Sequence, residues 1–108
     1  MAIITNTQTN SNGVSNLAVG KLVSDAGAAA ALTITLGFTP RYVKFVNLTD
    51  RITDEWYEGM ASASSLHVVA AGTQTLETTN GIAVSGSTFT LTATTMVASK
   101  TFYWEAYA

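Results

Sequence analysis

From residue 32 onward, apolar and polar positions alternate with a period of two. Leu32, Ile34 and Leu36 are separated by Thr33 and Thr35, and Gly37 closes the run, which is the pattern of a half-buried strand. Pro40 has no N–H to donate to a ladder, so it belongs at the start of a strand. Behind it, Tyr42-Val-Lys-Phe-Val-Asn-Leu48 is rich in β-branched and aromatic residues. Val43 and Phe45 point to one face of that strand, and Tyr42, Lys44 and Val46 to the other. Asp50 and Arg51 mark a turn. Glu55-Trp-Tyr-Glu58 reads as a strand with a large aromatic on each face, ended by Gly59.

The second half continues in the same manner. Ala61-Ser-Ala-Ser-Ser65 reads as a small-residue connection, and Leu66 to Ala70 as a short strand ending near Gly72. Thr73 to Thr79 forms another, with Leu76 inward. Asn80-Gly81 predicts a type I′ hairpin, because both residues tolerate positive φ. Ile82 and Val84 lie on the return strand, and Ser85-Gly86-Ser87 turns again. Phe89, Leu91 and Ala93 alternate with Thr88, Thr90 and Thr92. In the last strand Phe102, Trp104 and Ala106 share one face, with Tyr103, Glu105 and Tyr107 on the other. About eight short strands with turn signals between them predict an all-β fold, an antiparallel β-sandwich or jelly-roll-like domain over residues 32–108. Residues 26–31 admit at most one helical turn.

Residues 1–31 read differently. Positions 5–16 are almost wholly Thr, Asn, Gln, Ser and Gly, with little apolar area to offset the entropy of ordering. This segment is expected to be an extended N-terminal arm, read either as a loose terminus or as a segment that pairs with a neighbouring subunit.

Composition narrows the function. Charged residues make up 11% of the 108, against about 25% in an ordinary soluble domain. Five bases and seven acids give a formal charge of −2, too few cations for a nucleic-acid footprint. There is no apolar run of bilayer length and no basic, apolar leader at the start, so synthesis in a cytoplasm is expected. With no cysteine and one histidine, thiolate chemistry and any site needing two histidines are excluded.

The remaining candidates for chemistry are weak. His67 has the parity opposite to Leu66 and Val68, facing solvent or a partner, and no motif supplies it with a nucleophile. Asp50, Asp54, Glu55 and Glu58 cluster around one turn, without the spacing of a calcium loop, and read as a solvated turn. Gly72, Gly81 and Gly86 sit at turns, which implies no phosphate loop. Asn47-Leu-Thr49 matches a glycosylation sequon by coincidence. No catalytic residue, cofactor or metal is expected, and the chain reads as a non-enzyme.

The positive signal is the outside of the sheet. Eighteen threonines occupy positions where Lys and Glu would usually guard a free β-domain against edge-to-edge association. Tyr103 and Tyr107, and one of Trp56 and Tyr57, fall on outward positions, and such aromatics are enriched at protein interfaces. Trp56, Tyr57, Tyr103 and Tyr107 are therefore the candidate contact residues.

Gly37-Phe-Thr-Pro-Arg-Tyr-Val-Lys-Phe-Val-Asn-Leu-Thr-Asp-Arg51 and Glu55-Trp-Tyr-Glu-Gly-Met60 resemble a family of small tailed-bacteriophage virion proteins. Asn80-Gly-Ile-Ala-Val-Ser-Gly-Ser-Thr-Phe-Thr-Leu91 and Thr101-Phe-Tyr-Trp-Glu-Ala-Tyr-Ala108 are similar to the same group. The resemblance spans residues 32–108. It implies a capsid decoration (cement) protein: a β-domain, often trimeric, on the outer surface of the phage head, bracing major capsid protein subunits. Its implied partners are the major capsid protein and further copies of itself, with no nucleic acid and no membrane. Two other readings stand beside it: a tail or fibre-associated virion protein, and a carbohydrate-binding β-sandwich that uses Trp56 or Trp104 as a stacking platform.

Overall fold

The computed structural model describes residues 2–10 and 16–108, with the side chain of residue 10 left out. Residues 11–15 of the polar arm lie outside the described residues. Among the described residues the chain forms nine β-strands and no helix. They are β1 (Ile3–Asn10), β2 (Leu17–Ser24), β3 (Leu32–Thr35), β4 (Tyr42–Asn47), β5 (Ile52–Tyr57), β6 (Ser64–Val68), β7 (Gln74–Ser85), β8 (Thr88–Leu91) and β9 (Thr101–Tyr107). All pair antiparallel in one sheet of order β1-β2-β9-β4-β5-β6-β7-β8-β3, and the sheet curls into a half-barrel.

Among the described residues before residue 32, β1 and β2 join the sheet. β2 lies between β1 and β9, with Leu17 opposite Tyr107 and Val23 opposite Thr101, and Ala18 and Leu22 are fully buried in the core. β1 then pairs with β2 of the same chain, from Ile3 opposite Ser24 to the end of the strand. β2 brings Ala18, Leu22 and Ser24 to the core while Leu17 and Val19 stay exposed, so its apolar residues do not alternate as a half-buried strand's would. It is ordered by ladders to β1 and β9 on its two sides together with the burial of Ala18 and Leu22.

The core lies on the inner face of the curl. Val43, Phe45, Phe102, Trp104 and Ala106 come from β4 and β9, as their alternation predicts, and Ile34, Ile82, Phe89 and Leu91 from the far end of the sheet. Phe45 and Phe102 stack with centroids 5.4 Å apart, and Phe89 meets Trp104 edge-on at 5.3 Å. The second contact carries β8 across the inner face, so the sheet covers its own core. Leu76 departs from its predicted parity: it is 60% exposed on the outer face.

Asn80-Gly81 does not turn the chain. β7 continues through it and serves two partners, pairing with β6 from Gln74 to Glu77 and again at Ile82, and with β8 from Ala83. Ser64 lies opposite Ile82 while Ser65 lies opposite Glu77, so residues 78–81 form a wide bulge that turns the sheet inward. The backbone donors freed there are satisfied locally. Glu77 Oε2 accepts from the N–H groups of Thr78, Thr79 and Asn80, each at 3.1 Å. Gly81 N–H donates to the Ala63 carbonyl at 2.9 Å. Glycine is required at 81 for space and not for its φ, because a Cβ there would overlap the Ser64 carbonyl carbon and lie 2.7 Å from Ala63 O. Gly72 and Gly86 do sit in turns with positive φ, 91° and 57°.

Candidate interaction surface

The register of the sheet lays the outward side chains in rows. One row runs Leu17, Tyr107, Tyr42, Tyr57 across β2, β9, β4 and β5. The next runs Val19, Glu105, Lys44, Glu55, Leu66, Leu76 from β2 to β7. A third carries Lys21, Tyr103, Val46, Thr53 and Val68. Tyr57, Tyr103 and Tyr107 are 46%, 42% and 37% exposed, and Leu17, Val19 and Leu76 are exposed with them. Exposed apolar and aromatic side chains thus stand on β2, β9, β5 and β7 of one face, interrupted in the middle row by Glu105, Lys44 and Glu55, and grouped exposed apolar side chains mark interaction sites.

Aromatic contacts and carboxylates fix the tyrosines. The rings of Tyr42 and Tyr107 stack with centroids 5.5 Å apart, and Tyr57 leans on Tyr42 at 5.1 Å. The Tyr42 hydroxyl donates to Glu55 Oε2 at 2.6 Å, and that of Tyr107 to Glu105 Oε2 at 2.7 Å. Partial burial pushes the Tyr42 phenol well above its ordinary ionisation range, and the hydrogen bond to Glu55 adds to the shift. For Tyr107 the bond to Glu105 leads and burial follows. Each phenol is thus held as a neutral donor with its ring turned to the outer face.

Between β1 and β4 the same face forms an open groove of about 570 Å³, lined by Thr7, Thr9, Val19, Lys21, Lys44, Val46, Tyr103 and Glu105. Lys21 Nζ stands 5.8 Å from the centroid of Tyr103, within cation–π range.

A second polar group lies on the inner face. His67 is directly opposite Asp54 and so points inward, not to solvent. Asp54 is buried, and its Oδ1 accepts from the Ser65 hydroxyl and lies 2.8 Å from His67 Nδ1, each at the same distance. Acceptance by the carboxylate places the imidazole proton on Nδ1. The arrangement has the residue types of a catalytic triad in the wrong order: Ser65 binds the acid and not the histidine, so no base stands ready to activate it. The adjoining cleft of about 180 Å³ is lined by groups that are already engaged. Asp50 accepts from Lys100 Nζ at 3.1 Å and from Asn47 Nδ2 at 3.0 Å, and Glu77 closes the bulge. The acids read as one solvated turn are therefore dispersed: Asp54 inside, Asp50 on Lys100, Glu55 on Tyr42, and Glu58 on Arg41 at 3.3 Å. Among the described residues no group of three or more His, Cys, Asp and Glu is placed to hold a metal ion, and no helix is long and apolar enough to cross a membrane.

Of the four candidate contact residues, the structure brings Tyr57, Tyr103 and Tyr107 to the outer face and places Trp56 in the core, 7% exposed beside Val43. On a strand with one aromatic per face, Trp56 takes the inner side and Tyr57 the outer. Trp104 is also buried, so neither indole offers a stacking platform for a sugar. Sequence reasoning passed over Tyr42, Leu17 and Val19. The parity of Tyr42 with Lys44 and Val46 was the signal for the first, and nothing in the polar start of the chain marked the other two. No protein-family model matches the chain, and neither a curated protein nor a solved structure matches it.

Proposed function

We propose that this chain is a structural virion protein, a capsid decoration protein of a tailed bacteriophage, that binds the outside of the head and strengthens the contacts between major capsid protein subunits. The observation that supports this reading is the outer face, where Tyr57, Tyr103, Tyr107, Leu17, Val19 and Leu76 stand exposed among only four charged side chains in the three rows. The phage assignment itself comes from the resemblance of residues 32–108. The sandwich-like arrangement that the strand spacing predicts would correspond to β8 lying over β9, where Phe89 meets Trp104.

The mechanism is mass action. A protein that binds the assembled shell and not its free subunits stabilises the shell in proportion to affinity and occupancy, and modest contacts add up when several are made at once. Flat aromatic rings suit this role, since they bury large area with few rotors to order. The test is co-sedimentation with expanded heads of the encoding phage. Wild type should saturate at hundreds of copies per head, and Tyr103→Asp with Tyr107→Asp should abolish retention while leaving the fold intact. Retention of only a few dozen copies, located on the tail, would favour the tail-protein reading. No retention would end both.

A further inference from the structure

An open sheet has two edges, here β1 and β3. β3 is four residues long and β1 is eight. Among the described residues no strand pairs with the far side of β1. Edge strands are usually guarded by charge, proline or a bulge, because their free N–H and C=O groups invite another strand. β1 has one such device, a register shift between Ile3 and Thr5. From Thr5 onward it has none, and no charged side chain occurs before Lys21.

We propose that β1 pairs edge to edge with β1 of a second copy, antiparallel, about a two-fold axis that stands normal to the sheet at Thr7. A two-fold contact must be self-complementary, and residues directly opposite in an antiparallel pair share a face. Register with β2 puts Thr5, Thr7 and Thr9 on the outer face, opposite Val23, Lys21 and Val19. Asn6 and Gln8 lie on the inner face, opposite Leu22 and Gly20. An axis at Thr7 sets Thr7 against itself, Thr5 against Thr9 and Asn6 against Gln8. The segment Thr5-Asn-Thr-Gln-Thr9 therefore reads nearly the same in both directions. It gives a ladder of threonine pairs, which are favourable cross-strand neighbours, and sets no like charges against each other. The Gln8 carboxamide donates to the Thr35 carbonyl at 3.0 Å, a side-chain contact that ties β1 to β3, while no strand among the described residues pairs with the outer side of β1. This contact is independent of what the outer face docks on, and it differs in symmetry from the trimer that the resemblance implies.

The absence of cysteine makes the register directly testable. Thr7→Cys should form a disulfide-linked dimer under mild oxidation, because the two Cβ atoms would lie about 5 Å apart. Thr5→Cys alone should not, since its mate is about 13 Å away along the strand, whereas the double variant Thr5→Cys/Thr9→Cys should. Sedimentation equilibrium of wild type should show a monomer–dimer equilibrium that Thr7→Lys weakens about tenfold or more by opposing like charges. Thr7 is exposed, and circular dichroism confirms that each variant is folded. Cross-linking of Thr7→Cys no faster than Thr5→Cys would overturn the proposal. So would a monomer at every concentration, or an oligomer indifferent to Thr7→Lys.

Discussion

The indole of Trp104 occupies the space that a side chain at Gly20 would need. The two residues lie directly opposite each other on β9 and β2, and a Cβ on Gly20 would overlap Cε2, Nε1 and Cζ2 of the ring. An aromatic that shields a glycine on the next strand replaces the missing side chain in the sheet. Gly20→Ala should displace the indole, destabilise the fold by about 1–3 kcal/mol and shift tryptophan emission to the red. Urea unfolding followed by fluorescence measures both effects.

Gly81 and Ala63 form a second pair with opposite expectations. Gly81→Ala drives a Cβ into the Ser64 and Ala63 backbone, atoms that cannot swing aside, and should cost about 2 kcal/mol or more. Ala63 has a φ of 66°, a conformation that costs an L residue roughly 1–2 kcal/mol. Ala63→Gly relieves that strain, less the greater entropy of glycine in the unfolded chain, and should leave stability unchanged or raise it by up to about 1 kcal/mol. Thermal melts of the two variants should move in different directions or by clearly different amounts.

Asp54 should matter to the interior more than to any chemistry. Asp54→Ala would strand the fully buried Ser65 hydroxyl and remove the partner of His67, at about 1–3 kcal/mol for the unmade buried bond alone. Asp54→Asn keeps an acceptor oxygen and should cost less. Chemical denaturation of the two variants, read against wild type, gives that ranking.

Titration supplies a fourth prediction. A phenol whose folded-state value is raised contributes stability that is fully present below its unfolded value of 10.0. That contribution is lost as pH rises from there, because the unfolded chain then releases the proton first. Stability should fall above about pH 10, and the fall should be smaller in Tyr42→Phe. Absorbance at high pH should show a late phenol ionisation that is lost in Tyr42→Phe. At the acid end, the bulge amides, Asn80 first, hold the Glu77 carboxyl below its ordinary value of 4.5. Its contribution is present above that value and disappears as pH falls through the lower folded one, a loss that Glu77→Gln should not show.

The strands that can be read from the sequence are those with a clean inner face. Phe102, Trp104 and Ala106 on β9, and Val43 and Phe45 on β4, alternate with residues that differ from them in kind, and the core follows that alternation. β2 is obscured because Val19 and Val23 point outward while Gly20 points inward, so apolar content does not mark its buried face. Asn80-Gly81 carries a strong hairpin signal, yet its glycine is there because β6 backbone passes too close for a Cβ, and such proximity has no local signature. The outward tyrosines were legible by parity. Their carboxylate partners were not, since Glu55 and Glu105 are brought to the tyrosines across strands and along β9 by the register itself.

β9 is the last strand in the chain and lies near the middle of the sheet, flanked by β2 and β4. During synthesis the hairpin of β1 and β2 and the run from β4 to β8 must each wait, with one side unsatisfied, for a segment that leaves the ribosome after them. Pairings so distant in sequence form slowly, and exposed strand sides invite misassembly in the interval. Loss of the final seven-residue strand would therefore divide the molecule in two instead of trimming it.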